Sequence, residues 1–185
     1  MGIIRNVKLI STSPRGLARP WPVTVRVDNN STAKQAKIEV DARLTYSIHM
    51  VSYTLLDAEG KIVAMGKRSG KLGSTKAIIT VKNPKLWSPE TPYLYTLKTV
   101  VKTVGAGFLV DQHATRVGIR TLGWSGKEGF LLNGKPYKLK GVCEHDDAAI
   151  EGAAKSVATM RFRIGLLKKM GCNAIRTAHN PFADE

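Results

Sequence analysis

From Val23 to Ile119 apolar residues recur at every second position, in short runs separated by turns. A period of two places alternate side chains on opposite faces of a strand, whereas a helix needs a period near 3.6 to keep one face apolar. Val23, Val25 and Val27 alternate with Thr24, Arg26 and Asp28. Ala36, Ile38, Val40, Ala42 and Leu44 alternate with Lys37, Glu39, Asp41 and Arg43. Further strands are expected over 49–56, 61–65, 77–81, 93–104 and 108–119. Turn chemistry falls between them: Asp28-Asn29-Asn30-Ser31, Asp57-Ala58-Glu59-Gly60 and Gly105-Ala106-Gly107. Residues 66–73 read as a basic loop. Residues 83–92 contain Pro84, Pro89 and Pro92, which exclude a central strand there.

About seven strands with turns at short intervals and no helical stretch predict an antiparallel β-sandwich of immunoglobulin type. Ahead of it, Gly2 to Leu9 alternates like a strand, and Ser11 to Pro22 reads as a connector rich in Pro, Gly and Arg.

Past residue 122 the pattern changes. Trp124 to Glu128 bridges to Phe130-Leu131-Leu132, and Asn133-Gly134 makes a two-residue turn into Lys135-Pro136. Tyr137 to Val142 alternates as a short strand. Val157, Met160, Ile164 and Leu167 form the apolar stripe of a helix over 156–170, with Ser156 as N-cap and Gly171 as the stop. Asn173 to Thr177 is a second strand. Polar groups follow each strand: Cys143-Glu144-His145-Asp146-Asp147 after the first, His179-Asn180 after the second. In parallel α/β units the C-terminal edge of the strands is where ligands bind.

His145 and His179 each read as either a polar surface residue or a ligand contact. Adjacent parallel strands would bring both to one mouth, which favours a site. Glu144, Asp146, Asp147 and Glu151 invite an acid/base reading, but a retaining glycosidase needs two carboxyl groups about 5–5.5 Å apart across a substrate. Neighbours on one loop hold that geometry poorly. His145 with Asp146 or Asp147 lacks two further metal ligands at a recognisable spacing. Neither a metal nor a cofactor is expected, and no nucleotide-binding glycine motif is present.

The formal net charge is +15, with 19 Lys/Arg against 7 Asp/Glu in residues 1–122 and 10 against 7 thereafter. The cations are scattered singly along strands, without the interleaved aromatics of a strand-binding platform, so a solvated or protein-facing basic surface is favoured over nucleic acid. Cys143 and Cys172 read as reduced structural thiols. No 18-residue apolar run suggests a membrane helix, and residues 1–20 have no signal-peptide core.

Seven stretches in order resemble glycoside hydrolase family 2: Gly2-Ile-Ile-Arg-Asn-Val, Asn83-Pro-Lys-Leu-Trp-Ser-Pro-Glu, Pro92-Tyr-Leu-Tyr, Val117-Gly-Ile-Arg, Phe130-Leu-Leu-Asn-Gly-Lys-Pro, Lys140-Gly-Val-Cys-Glu-His and Asn173-Ala-Ile-Arg-Thr-Ala-His-Asn-Pro. The Cys-Glu-His variant is most similar to bacterial β-galactosidase-type members. The resemblance implies a mainly β chain: the end of a jelly-roll sugar-binding domain over 1–7, an immunoglobulin-like sandwich over 8–121, and a truncated TIM-barrel start over 122–185, the first βαβ unit of an incomplete (β/α)8 barrel. It implies that His145 and His179 hydrogen-bond glycone hydroxyls, that Arg176 forms the pocket floor and orients catalytic carboxylates, and that Asn180 sits at the rim. Asp146 stands where the family often has His or Glu, and Ala178 where it often has Ser.

The resemblance further implies an acid/base Glu in an Asn-Glu motif after barrel strand four and a nucleophile Glu after strand seven. Asn-Glu occurs nowhere in these 185 residues, so neither catalytic Glu is expected in this chain and it is expected to be inactive alone. The implied activity is retaining hydrolysis of terminal β-linked sugars, most of all β-galactosides. The competing expectation is a non-catalytic sandwich that binds carbohydrate or a protein. Expected partners are a β-galactoside or related oligosaccharide, and a second copy through the barrel fragment; neither nucleic acid nor a membrane is expected.

Overall fold

The computed structural model describes residues 7, 9–46, 49–70 and 73–179, which fall into two compact units, Ser11–Pro136 and a second that includes Tyr137 onward. Most of the strand expected over 2–9 lies outside the described residues; Val7 and Leu9 are not in a strand.

The sandwich of the first unit is built from seven strands in two sheets. β1 (Val23–Val27), β2 (Gln35–Leu44) and β5 (Gly73–Lys82) form one sheet in the order β1-β2-β5. β3 (His49–Leu56), β4 (Ile62–Gly70), β6 (Tyr95–Thr103) and β7 (Leu109–Val117) form the other, ordered β4-β3-β6-β7. All neighbours are antiparallel. Alternation decides which side of each strand is buried. Ala36, Ile38, Val40, Ala42 and Leu44 of β2 meet Val51, Tyr53 and Leu55 of β3, Ala77, Ile79 and Val81 of β5, and Tyr95, Leu97 and Val101 of β6 in one core. Each of the larger aliphatic side chains there contributes roughly 1.5–3 kcal/mol by leaving water.

The basic stretch differs from expectation. Residues 66–70 continue β4 as a strand, with Lys67 opposite Ser52 and Arg68 opposite Val51. β4 is an edge strand, and an edge tolerates cations that also discourage pairing with other chains.

The proline-rich crossing is held by named bonds. The Lys85 backbone N–H donates to the Tyr95 hydroxyl at 2.8 Å, and Trp87 N–H to the Ile119 carbonyl at 2.8 Å. The Arg120 guanidinium lies 4.4 Å from the Trp87 ring centroid. Three short strands follow: β8 (Leu122–Ser125), β9 (Gly129–Leu132) and β10 (Lys135–Pro136). Asn133 (φ 53°) and Gly134 (φ 74°) make the β9–β10 turn. Asn133 Nδ2 donates to the Trp87 carbonyl at 3.0 Å, while its Oδ1 accepts from Thr121 N–H at 3.1 Å. This asparagine therefore ties the Asn-Gly turn to the crossing.

The second unit is a βαβ element: β11 (Gly141–His145), α1 (Val157–Lys169) and β12 (Ala174–Ala178). β11 and β12 are parallel, with Gly141 opposite Ala174 and His145 opposite Ala178. The expected strand over 137–142 is displaced: pairing begins only at Gly141, and residues 137–140 are not in a strand. Asn173 sets that start. Its Oδ1 accepts from Lys140 N–H at 2.8 Å, and its Nδ2 donates to the Lys138 carbonyl at 2.9 Å. The helix matches expectation at both ends. Ser156 Oγ accepts from Thr159 N–H, and Gly171 (φ 88°) closes a two-bond C-cap in which Cys172 N–H reaches the Leu167 carbonyl and Gly171 N–H the Lys168 carbonyl.

Candidate functional site

The displaced strand alters how the site is built. Cys143, Glu144 and His145 lie within β11 and not in a loop behind it, so alternation sends Glu144 to one face and its two neighbours to the other. On the Cys143/His145 face, Arg176 of β12 sits opposite Cys143, and Arg176 Nη1 approaches the Cys143 sulfur at 3.7 Å. His179 follows β12 directly. Its ring packs edge-on against His145, with centroids 5.4 Å apart at 81°. Arg176 Nη2 lies 3.4 Å from His179 Nδ1. Ala178, opposite His145, is buried. The two imidazoles expected to converge therefore do so, at the C-terminal ends of adjacent parallel strands, with a guanidinium beside them.

The carboxylates are used otherwise. Glu144 faces the helix, accepts from Arg163 Nη1, and pairs with Lys155 Nζ at 3.4 Å. Asp146, expected at the ligand, pairs with the same ammonium at 3.5 Å. Glu151 accepts from Ser156 N–H and Oγ, both at 2.9 Å. These bonds, led by the Ser156 backbone donor, hold its carboxyl below the usual range. Glu144 is committed to cations on the helix side and Glu151 to capping α1. Asn180 lies outside the described residues.

Arg163 and Lys155 carry no sequence signal that separates them from solvated surface cations; only the fold brings them beneath β11. Among the described residues, no group of three or more His, Cys, Asp or Glu side chains could hold a metal ion. His113, in the sandwich, is separate. Burial and then Arg19 lower its pKa, opposed by Asp111.

Two imidazoles and a guanidinium on one rim can donate to and accept from hydroxyl groups of a polar ligand. The family described as glycosyl hydrolases family 2 matches residues 18–120, and its TIM barrel domain matches residues 126–185. The chain belongs to glycosyl hydrolase family 2. Its seven-stranded sandwich is the family's immunoglobulin-like domain, and its βαβ unit is the start of the TIM barrel. Beta-galactosidase BoGH2A of Bacteroides ovatus is 39% identical over 194 residues, covering all of this chain and 22% of that protein. Human beta-glucuronidase is 35% identical over 190 residues, again all of this chain and 28% of that protein. Among solved structures, a family 2 member from Bacteroides cellulosilyticus superposes with a TM-score of 0.85 at 29% identity, over 94% of this chain and 25% of that one. The Ruminococcus gnavus beta-glucuronidase in complex with D-glucuronic acid gives 0.77 at 30% identity, over 88% and 26%. The chain thus spans about a quarter of the length of these relatives.

Proposed function

We propose that this chain is part of a retaining β-glycosidase that removes terminal β-linked sugars, with β-galactosides as the substrate, and that His145, His179 and Arg176 contact the glycone. The observation that carries the reading is the pair of imidazoles at the C-terminal ends of β11 and β12, 5.4 Å apart with Arg176 alongside. In TIM-barrel enzymes that edge forms the active site. Asn180 and Asp146 belong to the same rim in this reading, Asp146 through the backbone that it shares with His145.

Retention requires a proton donor and a nucleophilic carboxylate on opposite sides of the anomeric carbon. Glu144 is turned to the helix and engaged by two cations, so it is suited to neither part. The bond-breaking carboxylates are assigned to barrel segments other than those present here, and the 185-residue chain alone is inactive.

The test takes two samples. The longer protein should release chromophore from an aryl β-galactoside faster than from the β-glucuronide, with a β-anomeric first product by NMR. The 185-residue chain should release none above buffer. Preference for the glucuronide would overturn the substrate, an α-anomeric first product the retention, and turnover by the short chain the assignment of the carboxylates.

A further inference from the structure

Lys155 lies just ahead of the helix, in the segment that joins β11 to α1. Its side chain is only 3% exposed. A buried ammonium persists only where acceptors replace its water, and here they come from three consecutive residues. Nζ lies 3.4 Å from Glu144 Oε1, 2.8 Å from the His145 carbonyl oxygen and 3.5 Å from Asp146 Oδ1. Arg163, on the helix, holds the same Glu144 oxygen. The chain is gripped by side chain, backbone and side chain in succession. The one side chain of the three that is not engaged by Lys155 is His145, whose ring meets His179.

We infer that Lys155 is a positioning residue: by clamping residues 144–146 it fixes the end of β11, and so aims the His145 imidazole at the ligand beside His179. The inference rests on the reading that His145 contacts the sugar. Lys155 touches no substrate. It acts through the direction of the backbone at His145, and a misplacement of about 1 Å in such a group costs on the order of a hundredfold in rate.

The first measurement needs no activity. In the 185-residue chain, NMR should show a ring-to-ring cross-peak between His145 and His179. That peak should disappear in Lys155→Met and persist in Lys155→Arg, which keeps a cation in place. Amide cross-peaks between β11 and β12 should persist in both variants. A parent chain with no ring cross-peak, or a Lys155→Met chain that keeps it, overturns the inference. Loss of the strand pairing itself in Lys155→Met also overturns it, by making Lys155 a general brace.

The second measurement uses the longer protein. Lys155→Met should lower kcat/KM about ten- to a hundredfold, with Lys155→Arg within about threefold of the parent. Lys155→Met combined with His145→Ala should be no worse than His145→Ala alone, because both act through one imidazole. Additive losses would mean that Lys155 acts elsewhere. A longer protein with no glycosidase activity would remove the proposed function, while the ring cross-peak would still decide the role of Lys155.

Discussion

Tyr53 places its ring in the sandwich core and donates its hydroxyl to the Thr75 carbonyl at 2.9 Å, across from one sheet to the other. Burial, helped by Asp41 and opposed by Arg68, pushes its phenol up to about 12 from 10.0. The folded chain holds this proton more tightly than the unfolded chain. The stabilisation is therefore complete below pH 10 and is lost as pH rises from 10 towards 12. Tyr53→Phe removes one buried hydrogen bond and should lower unfolding free energy by about 1 kcal/mol at pH 7. It should also flatten the alkaline decline. Urea titrations at pH 7 and at several values above 10 would check both, and an equally steep decline in the variant would locate it in another group. Gly16 makes a second point at this scale. A Cβ added there would lie 2.6 Å from Asp111 Oδ2, the oxygen that accepts from Leu17 N–H at 2.9 Å. Asp111 also faces Arg19 at 3.4 Å. Gly16→Ala must displace that carboxylate, and a loss of about 1–3 kcal/mol is expected by thermal unfolding. A change under about 0.5 kcal/mol would show that Asp111 relaxes freely.

Helix α1 depends on its ends, since it has no buried residue along its length. Because its bonds to Ser156 and Thr159 hold the Glu151 carboxyl low, the stabilisation that it gives the first turn is present above the ordinary carboxylate pKa. It is lost as pH falls through the lowered value. Glu151→Gln should remove that acid sensitivity, and Ser156→Ala should cost about 1 kcal/mol of local stability. Amide exchange at residues 157–160, followed from pH 6 down to 3, reads both; an acid response unchanged in Glu151→Gln would count against the cap. These helix ends were legible in the sequence because capping is local: Ser156 and Gly171 announce themselves within a turn of where they act. Strand β11 was not. Tyr137 to Val142 alternates as convincingly as a strand, but the register is chosen by Asn173 and by pairing with β12, which lie some thirty residues away. Strand β8 was missed because Leu122-Gly123-Trp124-Ser125 is too short to show a period, and it exists only by pairing with β9. The convergence of His145 and His179 was legible from strand order alone. Lys155 and Arg163 were not, because a lysine drawn beneath a strand has the same sequence context as one in water.

The two units of the chain differ in how much they bury, and this sets what each can do alone. Residues 11–136 enclose a continuous core from Leu17 to Ile119 drawn from both sheets, enough to fold as an independent domain. Among the described residues from 137 on, only Ala178 and Glu144 are buried as whole residues, with Lys155 buried by its side chain alone, while Val157, Phe162, Ile164, Leu166, Met170 and Ile175 stand exposed. A barrel buries such faces by closing all of its strands, and a single βαβ unit cannot close. Native-state hydrogen exchange should therefore separate the units. Amides of β2, β3, β5 and β6 should exchange only through global unfolding, and those of β11, α1 and β12 through local opening at lower free energy. A fragment of residues 11–136 should keep the urea midpoint of the sandwich amides in the whole chain. Equal protection of β12 and β3 would show that the βαβ unit draws stability from packing beyond its own contacts, and an unfolded fragment would show that the sandwich requires the rest of the chain. Either result would bear on the proposed site: β11 and β12 carry His145 and His179 in their arrangement, but with little burial of their own to keep that arrangement rigid.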